Sequence, residues 1–204
     1  MENELLDNET LTVIHERRSV RLFLDSPIPM QHIETILRAA NKAPSAHNLQ
    51  SWRFIVIQGE KKDELAQLVH SCSDRFPRPA CTLLRMASRT IAGAPVAIAI
   101  ANTGKLIEHG TNLFKIDTAM ANDFFRIMEI QSSAAAVENL LIAAKSLGID
   151  SVWLGIMCLI KNEVLELLGE RQGEFMAIVP IGYAAKPSEG PKKQSLGTVV
   201  KFLG

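Results

Sequence analysis

The chain has 204 residues, of which 47% are hydrophobic, and it carries 22 basic and 22 acidic side chains. This size and composition support one compact core, so we expect residues 1–204 to form a single domain. The balanced charge provides no field that would attract nucleic acid or an anionic membrane. These partners are excluded, and a small molecule or another protein remains.

The cysteines and the N-terminal segment indicate the cellular compartment of the protein. Cys72, Cys81 and Cys158 are an odd number without close spacing, which argues against a disulfide framework and a zinc site and fits a reducing compartment. The segment from Met1 to Thr10 is polar and lacks the apolar core of a secretion signal, and no apolar run is long enough to span a bilayer. We expect a cytoplasmic protein without a metal.

Apolar periodicity and turn residues predict a series of helices and strands. Thr10 is placed to cap the first helix, Pro29 suits the first turn of the second, and Gly148 suits the end of a long core helix. In chain order the predicted elements are a helix running into Glu16, an extended segment at 20–24, a helix at 29–40, a strand at 52–57, a helix at about 61–69, a strand at 95–101, a helix with its apolar stripe at 137–147, a strand at 152–156, a helix at 162–168 and a strand at 175–183. The class is α+β with a mixed sheet.

The first polar cluster consists of Arg17, Arg18 and Ser19, with Arg21 close behind. Forked guanidinium donors and a hydroxyl at a helix end can satisfy the oxygens of a phosphate. The alternative is a solvated basic turn whose arginines pair with Glu16 or Asp25, since short arginine runs are usually surface features. The cluster alone does not decide between these interpretations.

The second polar cluster is the segment 44–52, Pro-Ser-Ala-His-Asn-Leu-Gln-Ser-Trp. Its side chains both donate and accept hydrogen bonds, and such groups can recognise the edge of a planar heteroaromatic ring. The alternative is a helix-terminating turn whose serine and asparagine bond to local backbone. Signatures of other enzyme classes, including a glycine-rich dinucleotide turn, a phosphate-binding loop and a nucleophile elbow, are missing from the sequence.

Together the two clusters resemble FMN-dependent nitroreductases. The first signature is matched by Arg17, Arg18, Ser19, Arg21 and Phe23, and the second by Pro44, Ser45, Asn48, Gln50 and Trp52. Two further similarities are Glu138-Asn139-Leu140-Leu141 with the later Trp153-Leu154-Gly155, and Pro180-Ile181-Gly182-Tyr183. The resemblance implies a mainly antiparallel sheet flanked by helices, and a homodimer with intertwined chains.

The resemblance also implies site residues, with no catalytic side chain because FMN carries the chemistry. Those assigned to the phosphate and ribityl chain are Arg17, Arg18, Ser19 and Arg21. Asn48 and Gln50 would face the flavin ring, Pro44 and Ser45 would reach the flavin of the other subunit, and Leu154 and Gly155 would lie beside the ring. In the tail, where relatives often have an arginine, Lys192 or Lys193 would complete the phosphate site as a point charge.

The implied activity is a two-step hydride transfer, from NAD(P)H to FMN and then to a small acceptor such as a nitroaromatic or a quinone. A dehalogenase or flavin-destructase-like enzyme on the same scaffold is an alternative, as is a passive flavin-binding or interaction protein. We expect the stretch 102–117, with Gly104 and Gly110, to be mobile and to form part of a lid. We also expect the alanine-rich helix at 134–144 to allow another helix to approach closely and to contribute to the dimer interface.

Overall fold

The computed structural model describes residues 8–115, 117–187 and 189–203. Most of the predicted polar segment from Met1 to Thr10 lies outside these residues. The helices are α1 (Glu9–Glu16), α2 (Met30–Ala40), α3 (Gly59–Ser73), α4 (Ala80–Gly93), α5 (Lys105–Phe114), α6 (Thr118–Ser146), α7 (Lys161–Leu167) and α8 (Leu196–Val199). The strands are β1 (Trp52–Ile57), β2 (Val96–Asn102), β3 (Asp150–Ser151) and β4 (Glu174–Gly182). In this part of the chain no helix is long and apolar enough to cross a membrane.

The strands form one sheet in the order β1-β2-β4-β3, with each neighbouring pair antiparallel. The extended segment after α1 attaches to this sheet through a parallel bridge between Ser19 and Ser151 and an antiparallel bridge between Phe23 and Ala184. The α+β class and the mainly antiparallel sheet are confirmed. The parallel contact at Ser19 is a single isolated bridge, whereas the described strands pair antiparallel throughout the sheet.

Strand β2 lies at the centre of the core because it is apolar and buried along its whole length. Successive side chains of a strand point to opposite faces, so the strand separates two apolar layers. Ile98 and Ile100 pack in the layer that contains α2 and α6. Ala97 and Ala99 pack in the layer that contains α3, α4 and α7, where the small side chains let these helices lie close to the sheet.

Helix α6 is the longest element and begins well before its predicted apolar stripe. Asp117 caps it by accepting hydrogen bonds from the N–H groups of Ala119 at 3.0 Å and Met120 at 3.2 Å. Ala144 is fully buried in the layer shared with α2, so the expected close approach of another helix is confirmed. After the helix, Gly148 adopts a φ of +71°, as predicted for a left-handed residue at a helix end.

The structure corrects two predicted boundaries. Asn8, rather than Thr10, caps α1, because its side chain accepts a 3.0 Å hydrogen bond from the N–H of Leu11. The strand expected at 152–156 is wrong: β3 ends at Ser151, and a 3-10 helix occupies Gly155–Ile160. The buried positions in this run are 152, 154, 157 and 160, a spacing that changes from two to three, which is the period of a 3-10 helix.

The chain from 59 to 117 is more helical than the sequence predicted. The helix expected at about 61–69 extends over Gly59–Ser73, and α4 follows and packs against it. The expected lid region contains α5, whose Leu106 is fully buried with Phe125 of α6. Gly104 caps α5 with a φ of +77°, and a Cβ on Gly110 would overlap the Phe125 ring. Gly104 therefore caps α5, and Gly110 allows α5 to pack closely against α6.

Candidate functional site

A basic cleft of about 630 Å³ lies where the C-terminal segment crosses the end of α1. Glu189, Gly190 and Pro191 line it on one side. The remaining lining residues are six of the predicted cofactor-binding residues, Arg17, Arg18, Ser19, Arg21, Lys192 and Lys193. Five cations against one carboxylate give this cleft a positive potential that favours an anionic ligand.

The end of α1 presents its polar side chains because the backbone leaves the helix in an extended conformation. Arg17 ends the helix with φ −56° and ψ 129°. The N–H of Val20 then donates a 3.0 Å hydrogen bond to the carbonyl of Ser151, and the Val20 side chain is buried. Since side chains alternate along an extended segment, Ser19 and Arg21 point away from the side that Val20 buries.

Arg18 joins the C-terminal segment to the end of α1. Its Nε donates a 2.7 Å hydrogen bond to the carbonyl of Glu189, and its Nη1 donates to the carbonyls of Arg17, at 2.8 Å, and His15. A Cβ on Gly190 would lie 2.7 Å from Arg18 Cδ, and the φ of Gly190 is +70°, so this position favours glycine. Arg18 therefore lines the cleft but uses Nε and Nη1 to hold backbone.

Arg17 and Arg21 are less engaged. Arg17 Nε lies 3.8 Å from Glu138 Oε1, a distance typical of a weak, solvent-screened pair. Arg21 Nη1 donates a long 3.4 Å hydrogen bond to the carbonyl of Ser19. The ion pairs with Glu16 or Asp25 that the alternative interpretation requires are not formed between these described residues. Both guanidinium groups can therefore bind an anion in the cleft.

The loop between α2 and β1 has an unusual backbone. His47, Asn48 and Gln50 have φ values of +53°, +53° and +47°, in the left-handed region that side chains other than glycine rarely adopt. Such conformations cost about 1–3 kcal/mol each and persist only where the surrounding structure imposes them. They are most frequent at functional sites.

Local hydrogen bonds impose this loop conformation. The N–H of Gln50 donates to Ser45 Oγ at 3.1 Å, and Gln50 Nε2 donates to the carbonyl of Asn48 at 3.1 Å. The N–H of Ala46 donates to Ser132 Oγ on α6, also at 3.1 Å. The side chains of Asn48 and Gln50 are exposed, so they are available to an external ring. The turn is locally bonded, as the alternative interpretation holds, and still presents polar groups outward.

Within one chain the two polar clusters contact different faces of α6. The loop contacts the helix at Ser132, and Arg17 approaches it at Glu138. Six residues of α-helix correspond to about 9 Å along the axis and about 240° around it. The described lining of the basic cleft accordingly includes no residue from 44–52.

Leu154 and Gly155 lie at the junction between the sheet and the 3-10 helix. Leu154 is buried, and its N–H donates a 2.9 Å hydrogen bond to the carbonyl of Ile178 in β4. Gly155 is exposed and opens the 3-10 helix, where N–H groups have no acceptor in a preceding turn. This N–H can therefore donate to a ligand.

Two groups near the loop were not predicted from the sequence. Glu129 is almost fully buried on α6, and its signal was an acid in an apolar helical stripe. His109 on α5 packs edge-on against His47, with ring centroids 5.4 Å apart, and this contact has no signature in the sequence. In the described part of the chain no three His, Cys, Asp or Glu side chains are grouped to hold a metal ion.

Comparison with solved structures defines the fold as that of the flavin nitroreductases. A nitroreductase of Desulfitobacterium hafniense with bound FMN superimposes with a TM-score of 0.73 at 22% identity, over 98% of this chain and all of that chain. An NADPH:FMN oxidoreductase of Vibrio harveyi complexed with NAD+ gives a TM-score of 0.75 at 22% identity, over 96% of this chain and 77% of that chain.

Sequence comparison identifies the family. The model of the Nitroreductase family matches residues 14–183, and the chain belongs to that family. A protein of Archaeoglobus fulgidus, provisionally named as an NADH dehydrogenase/NAD(P)H nitroreductase, is 32% identical over 180 residues, which cover 86% of this chain and 85% of the relative. The resemblance noted in the sequence is confirmed, and family membership makes the protein an oxidoreductase.

Proposed function

We propose that this chain is an FMN-dependent NAD(P)H oxidoreductase that reduces a small acceptor such as a nitroaromatic or a quinone. The observation that carries the proposal is the basic cleft, in which a segment from the start of the chain and one from its end converge on space for an anion. Membership in the Nitroreductase family, together with the FMN and NAD+ bound by its structural neighbours, supports the same conclusion.

The residues of the cleft fit a phosphate monoester. Its volume of about 630 Å³ lies in the range of small-molecule sites. Arg17, Arg21 and Ser19 would hold the phosphate and the neighbouring ribityl hydroxyls through charge-assisted hydrogen bonds. Lys192 and Lys193 would add positive charge, and Arg18 would hold the C-terminal segment in place while lining the cleft.

The ring of the cofactor would be held by other elements. Asn48 and Gln50 would bond to its polar edge, Leu154 would lie against it, and the N–H of Gly155 would donate to it. Pro44 and Ser45 would approach the ring bound by the other subunit. When bound, FMN accepts a hydride from NAD(P)H and then passes reducing equivalents to the acceptor, and it supplies all of the redox chemistry. The side chains of this protein bind, orient and shield.

A homodimer is part of the proposal. The described C-terminal segment presents exposed apolar side chains at Leu196, Val199, Phe202 and Leu203, with Phe202 92% exposed. Apolar groups in such a row are typical of a segment that packs against another surface. The separation of the two polar clusters around α6 supports sites that take one cluster from each subunit.

A lid formed by helix α5 and a cytoplasmic location are also proposed. Helix α5, with exposed Leu113 and Phe114 beside the loop at His47, would form a lid over the ring and its acceptor. A cytoplasmic location is supported by the three cysteines, all of which are free in the structure.

The visible spectrum of the purified protein tests the proposed function. We expect a flavin spectrum that bleaches on anaerobic addition of NADH or NADPH and recovers when a nitroaromatic or a quinone is added. A colourless protein that takes up no FMN would contradict cofactor binding. A flavin spectrum that neither nucleotide bleaches would contradict the oxidoreductase activity and favour a passive binder.

A further inference from the structure

Glu129 lies on α6, yet it bonds to the start of α5. Its carboxylate accepts a 2.8 Å hydrogen bond from the N–H of Leu106 and a 3.3 Å hydrogen bond from the N–H of Gly104. These N–H groups lie in the first turn of α5, where an α-helix has no acceptor of its own. The carboxylate of one helix therefore caps another.

The same carboxylate reaches the loop of the second polar cluster. The Ser51 hydroxyl lies close enough to the Glu129 carboxyl to lower its pKa, and the Ser51 carbonyl accepts a 3.0 Å hydrogen bond from the N–H of Thr103. Ser51 directly follows Gln50, and Thr103 directly precedes Gly104. The end of the loop and the beginning of α5 are therefore joined to each other and to Glu129.

The surroundings of Glu129 are closed and polar. Asn102 is fully buried at the end of β2, and its Oδ1 accepts a short hydrogen bond from Ser133 Oγ on α6. Within the described residues, Asn102 Nδ2 and Thr103 Oγ1 are buried without a partner. Glu174 at the start of β4 is the other charged group that acts on Glu129, and it is paired with Arg126. Burying a carboxylate without a cation is costly, and the hydrogen bonds from the N–H groups of Gly104 and Leu106 offset part of that cost.

We propose that Glu129 is a positioning residue that sets the lid helix α5 and the ring-facing loop at 44–51 relative to each other. This inference rests on the proposed function, which assigns the loop to the cofactor ring and α5 to the lid. The carboxylate holds Gly104 and Leu106 at the start of α5, and the adjacent Thr103 is bonded to Ser51 at the end of the loop.

The experiment compares Glu129→Gln with the matched control Glu174→Gln by hydrogen–deuterium exchange. The amide of Glu129→Gln has one acceptor oxygen in place of two. We expect exchange at 104–110 and 46–51 to accelerate about tenfold or more, as loss of a hydrogen bond to a charged group implies. We expect β2 and β4 to be unchanged, and the control to leave all four regions unchanged.

A spectroscopic readout reports on the ring. In the FMN-loaded protein, Glu129→Gln should change the visible circular dichroism of the flavin and raise the KM for the acceptor more than it lowers kcat. Ser51→Ala should accelerate exchange at 46–51 alone, and it provides the test if Glu129→Gln does not fold.

Three results would overturn the proposal. Unchanged exchange at 104–110 in Glu129→Gln, or unchanged exchange at 46–51 in Ser51→Ala, would show that the contacts position nothing. Uniform acceleration that includes β2 and β4 would show that Glu129 contributes only to general stability. Hydrogen–deuterium exchange is also measured on the protein without cofactor. If the wild-type protein bound no FMN, the proposed function would be refuted, and the exchange data would still test the role of Glu129.

Discussion

The Nε of Arg18 donates a 2.7 Å hydrogen bond to the carbonyl of Glu189, 171 residues later in the chain. Together with the contact between the Arg18 side chain and Gly190, this bond holds the C-terminal segment over the end of α1. The position of Lys192 and Lys193 in the basic cleft therefore depends on Arg18.

Replacing Arg18 by alanine should release the C-terminal segment. Arg18→Ala removes the donor to Glu189, so amide exchange at 189–195 and proteolysis after Lys192 or Lys193 should both become faster. Arg17→Ala serves as the matched control, because Arg17 makes no described bond to that segment. Equal protection in the two variants would show that the segment is held by other contacts.

Replacing both Arg17 and Arg18 by alanine should release FMN without unfolding the chain. Arg17 would contribute charge-assisted hydrogen bonds to the phosphate of about 1.5–3 kcal/mol each, and Arg18 would contribute its charge and the placement of the C-terminal segment. Loss of both residues should therefore weaken FMN by roughly a hundredfold or more. Absorbance at the flavin bands and FMN titration measure this loss, and far-ultraviolet circular dichroism checks the fold. Arg38 and Arg171, exposed arginines outside the cleft, give the control pair. Full flavin occupancy in the double variant would remove the phosphate assignment.

Lys192 and Lys193 should contribute less than the arginines. Both are exposed, and an exposed charge pair contributes about 0–1 kcal/mol, so Lys192→Ala combined with Lys193→Ala should weaken FMN by about thirtyfold at most. The difference from wild type should shrink as salt is raised, because salt screens exposed charges. Lys201→Ala is the control. A loss that does not change with ionic strength would contradict a point-charge role.

Adding a methyl group at Gly110 should destabilise the contact between α5 and α6. The new Cβ would overlap the Phe125 ring, and overpacking of this kind costs about 1–3 kcal/mol. Chemical denaturation of Gly110→Ala measures the cost. Gly197→Ala is the control, because a Cβ there has no neighbouring atom within 4 Å. If Gly110→Ala were as stable as wild type, the described packing of α5 on Phe125 would be incorrect.

The pH dependence of stability should carry a contribution from Glu129. Burial raises the pKa of the Glu129 carboxyl above its ordinary value, outweighing the hydrogen bonds from Leu106, Ser51 and Gly104 that lower it. The folded state therefore holds the proton more tightly than the unfolded state. The stability that the neutral form contributes is fully present below the unfolded pKa and is lost as pH rises through the higher folded pKa.

The measurement is the free energy of unfolding of wild type and Glu129→Gln as a function of pH. The stability of the Gln variant relative to wild type should increase as pH rises from about 4 to about 7, since Gln cannot ionise. Glu174→Gln should not reproduce this trend. Parallel curves for wild type and Glu129→Gln would show that the pKa of Glu129 does not differ between the folded and unfolded states.

The sequence predicted best those elements whose apolar period is unambiguous. The helix at Met30–Ala40 and the strands at Trp52–Ile57 and Glu174–Gly182 were expected close to their observed bounds. The run after Ser151 was misjudged because Val152 and Leu154 begin with a strand period and Met157 and Ile160 continue with a 3-10 period. A single apolar stretch does not show where such a change occurs.

The candidate site was predictable only where its residues are neighbours in sequence. The clusters at 17–21 and 44–52 are readable as motifs: the first lines the basic cleft, and the second forms a loop with exposed polar side chains at Asn48 and Gln50. The bond between Arg18 and the Glu189 carbonyl, and the capping of α5 by Glu129, depend on backbone groups that any residue carries. No side-chain pattern in the sequence predicts these two contacts, so they can be identified only in the folded structure.

Because His47 and Gln50 have a left-handed backbone, substitutions that raise heat resistance at these positions would lower enzymatic turnover. Glycine adopts this conformation without steric penalty, so a library screened for heat resistance alone should enrich His47→Gly or Gln50→Gly. Gln50 is also assigned to the ring, and His47 packs against the lid helix at His109. Engineering for robustness at this loop would therefore erode the site that the strain maintains.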